Sequence, residues 1–114
     1  TWTEHPTSRK ALIEPTCMAS IHKHVYKRGK KTQSVLLFCN PESCYDRSHL
    51  TLKASFDDGN SWPSTHKILL DEWAGFGYSC ITSVDENTIG ILYESSQAQI
   101  VFQQIDLKDI LRDN

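Results

Sequence analysis

The sequence predicts an all-β fold of antiparallel strands, and three observations support that prediction. Short runs rich in β-branched and aromatic residues alternate with clusters of turn residues, at the spacing of a meander. Helical periodicity is nearly absent before residue 106. A tryptophan that closes a turn-rich stretch occurs at Trp2 and again at Trp62, which indicates a repeated unit of about 60 residues.

Seven strands are predicted, four and then three, with turn clusters between them. They cover residues 17–24, 34–39, 50–55, 66–70, 80–84, 88–93 and 100–105. The separators contain the glycine, proline, asparagine and aspartate residues that are typical of turns. A short terminal helix is predicted over residues 106–113, because Leu107, Ile110 and Leu111 fall at helical spacing and Arg112 comes late.

Composition excludes two classes of partner. The 114 residues allow one modest domain. With 12 Lys and Arg against 14 Asp and Glu, the formal net charge of -2 gives no global basic field for nucleic acid or an acidic membrane. No apolar run approaches the roughly 20 residues of a membrane span. No leader-like sequence opens the chain, so any export signal is expected outside it.

The cysteines have no C-x-x-C spacing, and the favoured interpretation is four buried free thiols. They are Cys17, Cys39, Cys44 and Cys80. Cys39 and Cys44 flank a turn, so a disulfide between them stays open as the alternative.

Residues 55–62 match the Asp-box pattern S-x-D-x-G-x-[ST]-W. In such a hairpin the side chain of Asp57 is expected to cap backbone N–H groups, Gly59 to take a turn conformation and Trp62 to pack underneath. Trp2 is interpreted as the end of a first, incomplete copy. The motif is structural and carries no chemistry.

A longer series of motifs then resembles a known family. The Asn40-Pro41 turn, Arg47, the Asp box, the run Gly75-Phe76-Gly77-Tyr78-Ser79 and the strand end Leu92-Tyr93-Glu94 follow one another as in the last third of a bacterial-type exo-α-sialidase, or neuraminidase. The resemblance implies a six-bladed β-propeller, of which this chain would be a C-terminal fragment of about two blades. Residues 1–70 would form one blade, and residues 71–114 an incomplete final blade with the helix.

The resemblance also implies an activity. Sialidases of this type release terminal sialic acid with retention through a tyrosine-linked intermediate, and Tyr78 matches that nucleophile. Sialic acid carries a carboxylate on its anomeric carbon, so a neutral phenol approaches where a carboxylate nucleophile would be repelled. Without the motif, Tyr78 would be interpreted as a buried aromatic at a strand start.

Two further residues take roles from the same resemblance. Arg47 matches the third arginine of a triad that grips the substrate carboxylate through a planar, bidentate fork. Taken alone, it would be a surface arginine paired with Asp46. Glu94 matches a glutamate that supports the first triad arginine, which lies outside this chain. Taken alone, Glu94 would be a solvated residue at a strand end.

Other candidate sites are weaker. His22 and His24 share one face of a strand and would allow a metal pair, but no third ligand is suitably spaced, so they are interpreted as rim histidines. The basic run of residues 27–31 is interpreted as a solvated hairpin tip rather than a phosphate site. The resemblance implies no cofactor and no metal.

The family's aspartate acid/base, its tyrosine-activating glutamate and two triad arginines would lie upstream of Thr1, so the chain alone is expected to be inactive. Sialylated glycans are the implied ligands, and the rest of the propeller or self-association the expected polypeptide contact. A secreted or periplasmic location follows from the same resemblance. The alternatives are a non-catalytic Asp-box propeller, a sialic-acid-binding module, and a free-standing β domain.

Overall fold

Two antiparallel sheets and one short helix make up the computed structural model, which describes residues 1–112. The elements are β1 (Ser20–Arg28), β2 (Lys31–Pro41), β3 (Leu50–Ser55), β4 (Lys67–Asp71), β5 (Ser79–Asp85), β6 (Thr88–Glu94), β7 (Ile100–Asp106) and α1 (Leu107–Leu111), with a 3-10 turn at Ser64–His66 before β4. The sheet orders are β1-β2-β3-β4 and β5-β6-β7. The predicted all-β class, with four strands and then three, is confirmed.

The first strand differs from its prediction at both ends. It was expected to begin at Cys17, but the Cys17 amide instead donates to the Glu14 carboxylate at 3.4 Å, and pairing with β2 begins at Ser20. The strand then continues to Arg28, because exposed residues keep alternating with the buried His24 and Tyr26. A two-residue turn at positions 29–30 joins β1 to β2, as the prediction of a hairpin tip required.

Both sheets contribute to a single hydrophobic cluster. β3 is buried along its whole length, and β2 and β6 place alternate side chains inside. The least exposed apolar members are Val35, Leu37, Cys39, Leu52, Ala54, Ile89 and Ile91. Burial of this kind stabilises a fold by about 25 cal/mol per Å² of apolar surface, so the two sheets hold each other as one unit.

The strand ends define two opposite edges of the molecule. The starts of β1, β3, β5 and β7 lie beside the ends of β2, β4 and β6. Across the two sheets, the Ser79 hydroxyl bonds the Ser20 hydroxyl at 2.8 Å and donates to the Cys39 carbonyl at 3.2 Å. We give the name site edge to the edge where β1, β3, β5 and β7 begin. The loops at residues 42–49, 72–78 and 95–99 emerge there.

At the other, far edge the Asp-box turn follows the end of β3. The Asp57 carboxylate accepts from the Ser55 hydroxyl and from the Ser61 amide, each at 2.8 Å, and Gly59 has φ +89°. Trp62 is buried and meets the Phe38 ring edge-on, with centroids 5.8 Å apart. The hydrogen bonds lower the pKa of Asp57, with that from Ser61 contributing most. This stretch is a turn held by its own side chains.

Trp2 does not share that packing. Its side chain is fully exposed, whereas that of Trp62 is 8% exposed. The repeat is therefore visible in the sequence, but only the second copy, which ends at Trp62, buries its tryptophan.

The cysteine prediction was correct on the redox state and wrong on burial. All four are free thiols, so Cys39 and Cys44 are not bonded to each other. Cys39 is buried, which raises its pKa to about 11, but Cys17 is half-buried and Cys44 and Cys80 are exposed. Cys80 is exposed because it occupies an outward-facing position in the alternation of β5. Cys44 lies in the loop of residues 42–49.

The terminal helix is shorter than predicted. It begins after Asp106, which ends β7, and buries Leu107 and Ile110. Arg112 closes it in a left-handed conformation, with its amide bonded to the Lys108 carbonyl at 3.0 Å. Asp113, which the prediction included, lies outside the described residues. Within residues 1–112 no helix has the length and apolar character to cross a membrane.

The interpretation of the two histidines as rim residues is wrong for His24, which is 1% exposed. Its Nε2 donates to the Glu86 carbonyl at 2.7 Å, so its Nδ1 accepts from the Ser83 hydroxyl at 2.7 Å. His22 Nε2 then donates to the same Ser83 oxygen, also at 2.7 Å. This chain of hydrogen bonds joins β1 to β5, and therefore joins the two sheets.

We expect the link to make stability depend on pH. Burial, and then the charge of His24, lowers the pKa of His22. The unfolded state therefore takes up the proton more readily, so the contribution to stability is present above the unfolded pKa of about 6.5 and is lost as the pH falls below it. The Glu86 carboxylate lies beside this link and accepts from the Lys27 backbone amide at 2.7 Å.

Thermal denaturation of the protein should show a melting temperature lower by a few degrees at pH about 5.5 than at pH about 7.5. His22→Gln keeps a donor toward Ser83 but does not titrate, so it should flatten that dependence. An unchanged pH dependence in this variant would count against the link.

Candidate functional site

Arg47 lies in the loop of residues 42–49, between β2 and β3 at the site edge. Its two terminal nitrogens donate to the carbonyls of Phe76 at 3.1 Å and Thr16 at 3.2 Å. Its own carbonyl accepts from the Gly75 amide at 3.0 Å. A guanidinium has five N–H groups, so three of them are left for another anion or carbonyl.

Tyr78 immediately precedes β5 and lies on the same edge. The guanidinium carbon of Arg47 is 5.7 Å from the centroid of the Tyr78 ring, within the range of a cation–π contact. The Tyr78 side chain is 43% exposed. The two residues singled out for substrate chemistry are thus neighbours at a partly open surface.

Glu94, at the end of β6, fixes the backbone of Tyr78. Its carboxylate accepts from the Tyr78 amide at 3.1 Å, and its amide donates to the Tyr78 carbonyl at 3.0 Å. Both polar groups of the Tyr78 backbone are therefore bonded to one residue. All three residues selected from the sequence lie together at the site edge.

Gly77 lets the Tyr78 loop approach the Arg47 loop. It has φ +84°, and a Cβ there would lie 2.8 Å from Pro41 Cγ, 3.3 Å from the Cys17 sulfur and 3.5 Å from Arg47 Cβ. Any larger residue would be strained in this backbone conformation and would also meet Pro41. In the sequence, the signal for this role is that Gly77 is the second glycine of the Gly-Phe-Gly run.

The Arg47 loop is anchored at its base by an ion cluster that was not predicted from the sequence. Lys53 is completely buried, and its ammonium donates to the Asn40 side chain at 3.0 Å and lies 3.7 Å from the Glu42 carboxylate. Lys67 bonds the same carboxylate oxygen, and the Glu42 amide donates to the His49 carbonyl at 2.9 Å. Burial lowers the pKa of Lys53, and the charge of Glu42 opposes that effect.

A lysine inside the apolar run of β3 was the available signal for this cluster, since lysine is rarely buried without a partner. In residues 1–112 no group of three or more His, Cys, Asp or Glu side chains is arranged to hold a metal ion.

Comparisons with known proteins give the family. No protein-family model matches the chain. It is 47% identical over 112 residues to a sialidase of Bacteroides fragilis (strain YCH46), across 98% of this chain and 21% of that protein. It is 36% identical over 90 residues to a sialidase of Micromonospora viridifaciens, across 77% of this chain and 13% of that protein.

The fold gives the same answer. The solved structure of the Hadza microbial sialidase Hz136 matches 96% of this chain and 21% of its own, with a TM-score of 0.85 and 47% sequence identity. The two sheets therefore have the fold of part of a sialidase, a β-propeller enzyme. The chain belongs to the sialidase family. It matches the Bacteroides fragilis sialidase and Hz136 along nearly all of its own length, and it spans about a fifth of the length of each.

Proposed function

We propose that this segment supplies the nucleophile and one carboxylate-binding arginine of an exo-α-sialidase. The observation that carries the proposal is the position of the Arg47 guanidinium, 5.7 Å from the Tyr78 ring centroid at a partly open edge. A cation beside a phenol suits a substrate whose carboxylate is attached to the reacting carbon.

The reaction has two displacements. The Tyr78 oxygen attacks the anomeric carbon of a terminal sialoside and loses its proton to a base elsewhere in the full-length parent. The bond to the leaving oxygen breaks, and that oxygen takes a proton from a general acid of the parent. Water then attacks the same carbon and gives a proton to the group that acted as the acid, the bond to Tyr78 breaks, and the phenol regains the proton held by the base. Two inversions at one carbon give retention.

Arg47 binds the substrate carboxylate with the N–H groups that Phe76 and Thr16 do not use. These two carbonyls hold the guanidinium in place before substrate arrives, which lowers the entropic cost of binding. The same charge stabilises the phenolate character that develops on Tyr78 during attack. Glu94 orients Tyr78 and, in the parent, supports a further arginine of the carboxylate site.

The larger setting is part of the proposal. The two sheets are the last two blades of the propeller, at about residues 1–70 and 71–114, and the parent is secreted or periplasmic. Exposed apolar side chains such as Ile100 and Phe102 on β7 are covered by the rest of the parent, or by self-association when the segment is alone.

The proposal is tested by Arg47→Lys in the full-length parent. We expect KM for an aryl sialoside to rise at least about tenfold, because lysine lacks the planar fork and cannot also satisfy two backbone carbonyls. Comparison with the sialoside methyl ester isolates the carboxylate contact, since the wild-type preference for the free acid should largely disappear.

The matched control is Arg9→Lys, which makes the same change at an exposed turn of the N-terminal region. It should leave both KM values unchanged. An Arg47→Lys enzyme that still prefers the free acid as strongly as wild type would refute the role of Arg47.

A further inference from the structure

We infer that Asp71, at the end of β4, is a positioning residue that holds the Tyr78 loop in register with the loop after Glu94. The inference rests on the proposed function, because it assigns a consequence for the reaction at Tyr78. Neither the motifs of the sequence nor the three site residues include Asp71.

The Asp71 carboxylate joins two loops that are distant in sequence. One oxygen accepts from the Trp73 amide at 3.1 Å, at the start of the Tyr78 loop, and from the Ser96 hydroxyl at 3.0 Å. The other oxygen accepts from the Ser96 amide at 2.8 Å. Three donors on two loops thus converge on one side chain.

The two loops also touch directly beside Asp71. A Cβ on Gly75 would lie 3.0 Å from Ser96 Cα and 3.1 Å from the Ser95 carbonyl oxygen, both backbone atoms. The Gly75 amide donates to the Arg47 carbonyl. Gly75 is therefore enclosed by the Ser95–Ser96 backbone and by the Arg47 loop, and Asp71 clamps this arrangement from the strand side.

The clamp reaches the reacting residue along the backbone. Between Asp71 and Tyr78 the chain is fixed at Trp73 by Asp71 and at Gly75 by Arg47. The position of Tyr78 is fixed by Glu94, which lies two residues before Ser96. Loss of the bonds from Ser96 would therefore uncouple the two loops that set the position of the Tyr78 phenol.

The charge of Asp71 suits this role. Burial is the largest single influence and raises its pKa, but the hydrogen bonds from Ser96 and Trp73 together outweigh it, so the pKa lies below the usual range. The carboxylate accordingly stays ionised at neutral pH, with both oxygens as acceptors.

The test uses Asp71→Asn in the full-length parent. Asparagine keeps one oxygen for the Trp73 amide and the Ser96 hydroxyl but places an NH2 group against the Ser96 amide, so it removes the 2.8 Å bond between the loops and keeps the turn. We expect kcat for an aryl sialoside to fall about tenfold with KM within about threefold, and Asp71→Ala to lower kcat about a hundredfold. Ser96→Ala, which keeps the Ser96 amide, should have a smaller effect than Asp71→Asn.

A second readout measures the step at Tyr78 itself. A sialosyl fluoride with a second fluorine at C3 should form the covalent bond to Tyr78 slowly enough for its rate to be measured. In Asp71→Asn that labelling rate should fall by the same factor as kcat. Asp85→Asn is the matched control: it removes the same charge and alters the same kind of bond, to the Asn87 amide at 2.8 Å, at the far edge. It should leave kcat and the labelling rate unchanged.

The outcomes separate the two proposals. If Tyr78→Phe is still labelled normally, the proposed function fails. If Tyr78→Phe prevents labelling while Asp71→Asn labels and turns over like wild type, or changes KM alone, the inference about Asp71 is overturned. Equal losses in Asp71→Asn and Asp85→Asn also overturn it. If Asp71→Ala does not fold, Asp71→Asn decides, because asparagine preserves the volume and the turn.

Discussion

Replacing Tyr78 by phenylalanine in the full-length parent should lower kcat on the order of 10³-fold or more while leaving substrate affinity within a few fold. The ring, and with it the contact to the Arg47 guanidinium at 5.7 Å, is retained. Only the oxygen that would form the covalent bond is lost. The measurement is steady-state kinetics on an aryl sialoside, with equilibrium binding of sialic acid measured separately.

Tyr93→Phe is the matched control for this experiment. Tyr93 is buried, and its hydroxyl donates to the Gln103 side chain at 3.1 Å. Its loss should cost about 1 kcal/mol of stability and leave kcat nearly unchanged. A Tyr78→Phe enzyme that retains a tenth or more of wild-type kcat would exclude Tyr78 as the nucleophile.

The strands were predictable because their signal is local. Alternation, β-branched residues and turn clusters placed β3 with both bounds correct, and β2, β6 and β7 differ from prediction by extension rather than by position. Which face of a strand meets a second sheet is not a local property. His24 was therefore expected at a rim, although the docking of β5 buries it against Ser83.

The three proposed site residues were selected on a different kind of signal. Arg47, Tyr78 and Glu94 were found through a resemblance of motif order, since each alone has an ordinary structural interpretation. The contacts that hold them were not predictable, because Arg47 bonds the carbonyls of Phe76 and Thr16 and every residue has a carbonyl. Hydrogen bonds to backbone carbonyls therefore cannot be predicted from the residue types.

Charged residues that support the loops were only partly predictable from the sequence. Lys53 and Asp71 both adjoin apolar strand residues, and an ionisable group in that position needs partners when it is buried. The sequence therefore indicates that such a residue needs a partner if its strand position is buried. It does not show which one, because Glu42 and Ser96 reach these residues from loops whose paths depend on the assembled sheets.

The polypeptide of residues 1–114 alone should have no measurable sialidase activity. Nucleophilic attack by Tyr78 requires a base, and departure of the sugar's substituent requires an acid. In this structure the Glu94 carboxylate is bonded to the Tyr78 backbone amide, and Arg47 is a cation that cannot act as a base. The proposal therefore takes the acid, the base and the remaining carboxylate-binding arginines from the rest of the parent.

The assay is release of a fluorophore from an aryl sialoside by the purified segment, compared with its own Tyr78→Phe variant to remove background from contaminants. We expect the two rates to be equal, and at least about 10⁴-fold below that of the full-length parent. A rate for the segment that clearly exceeds that of its Tyr78→Phe variant would show that residues 1–114 contain a working acid and base. The division of labour proposed here between the segment and its parent would then be wrong, whereas the role of Tyr78 would be strengthened.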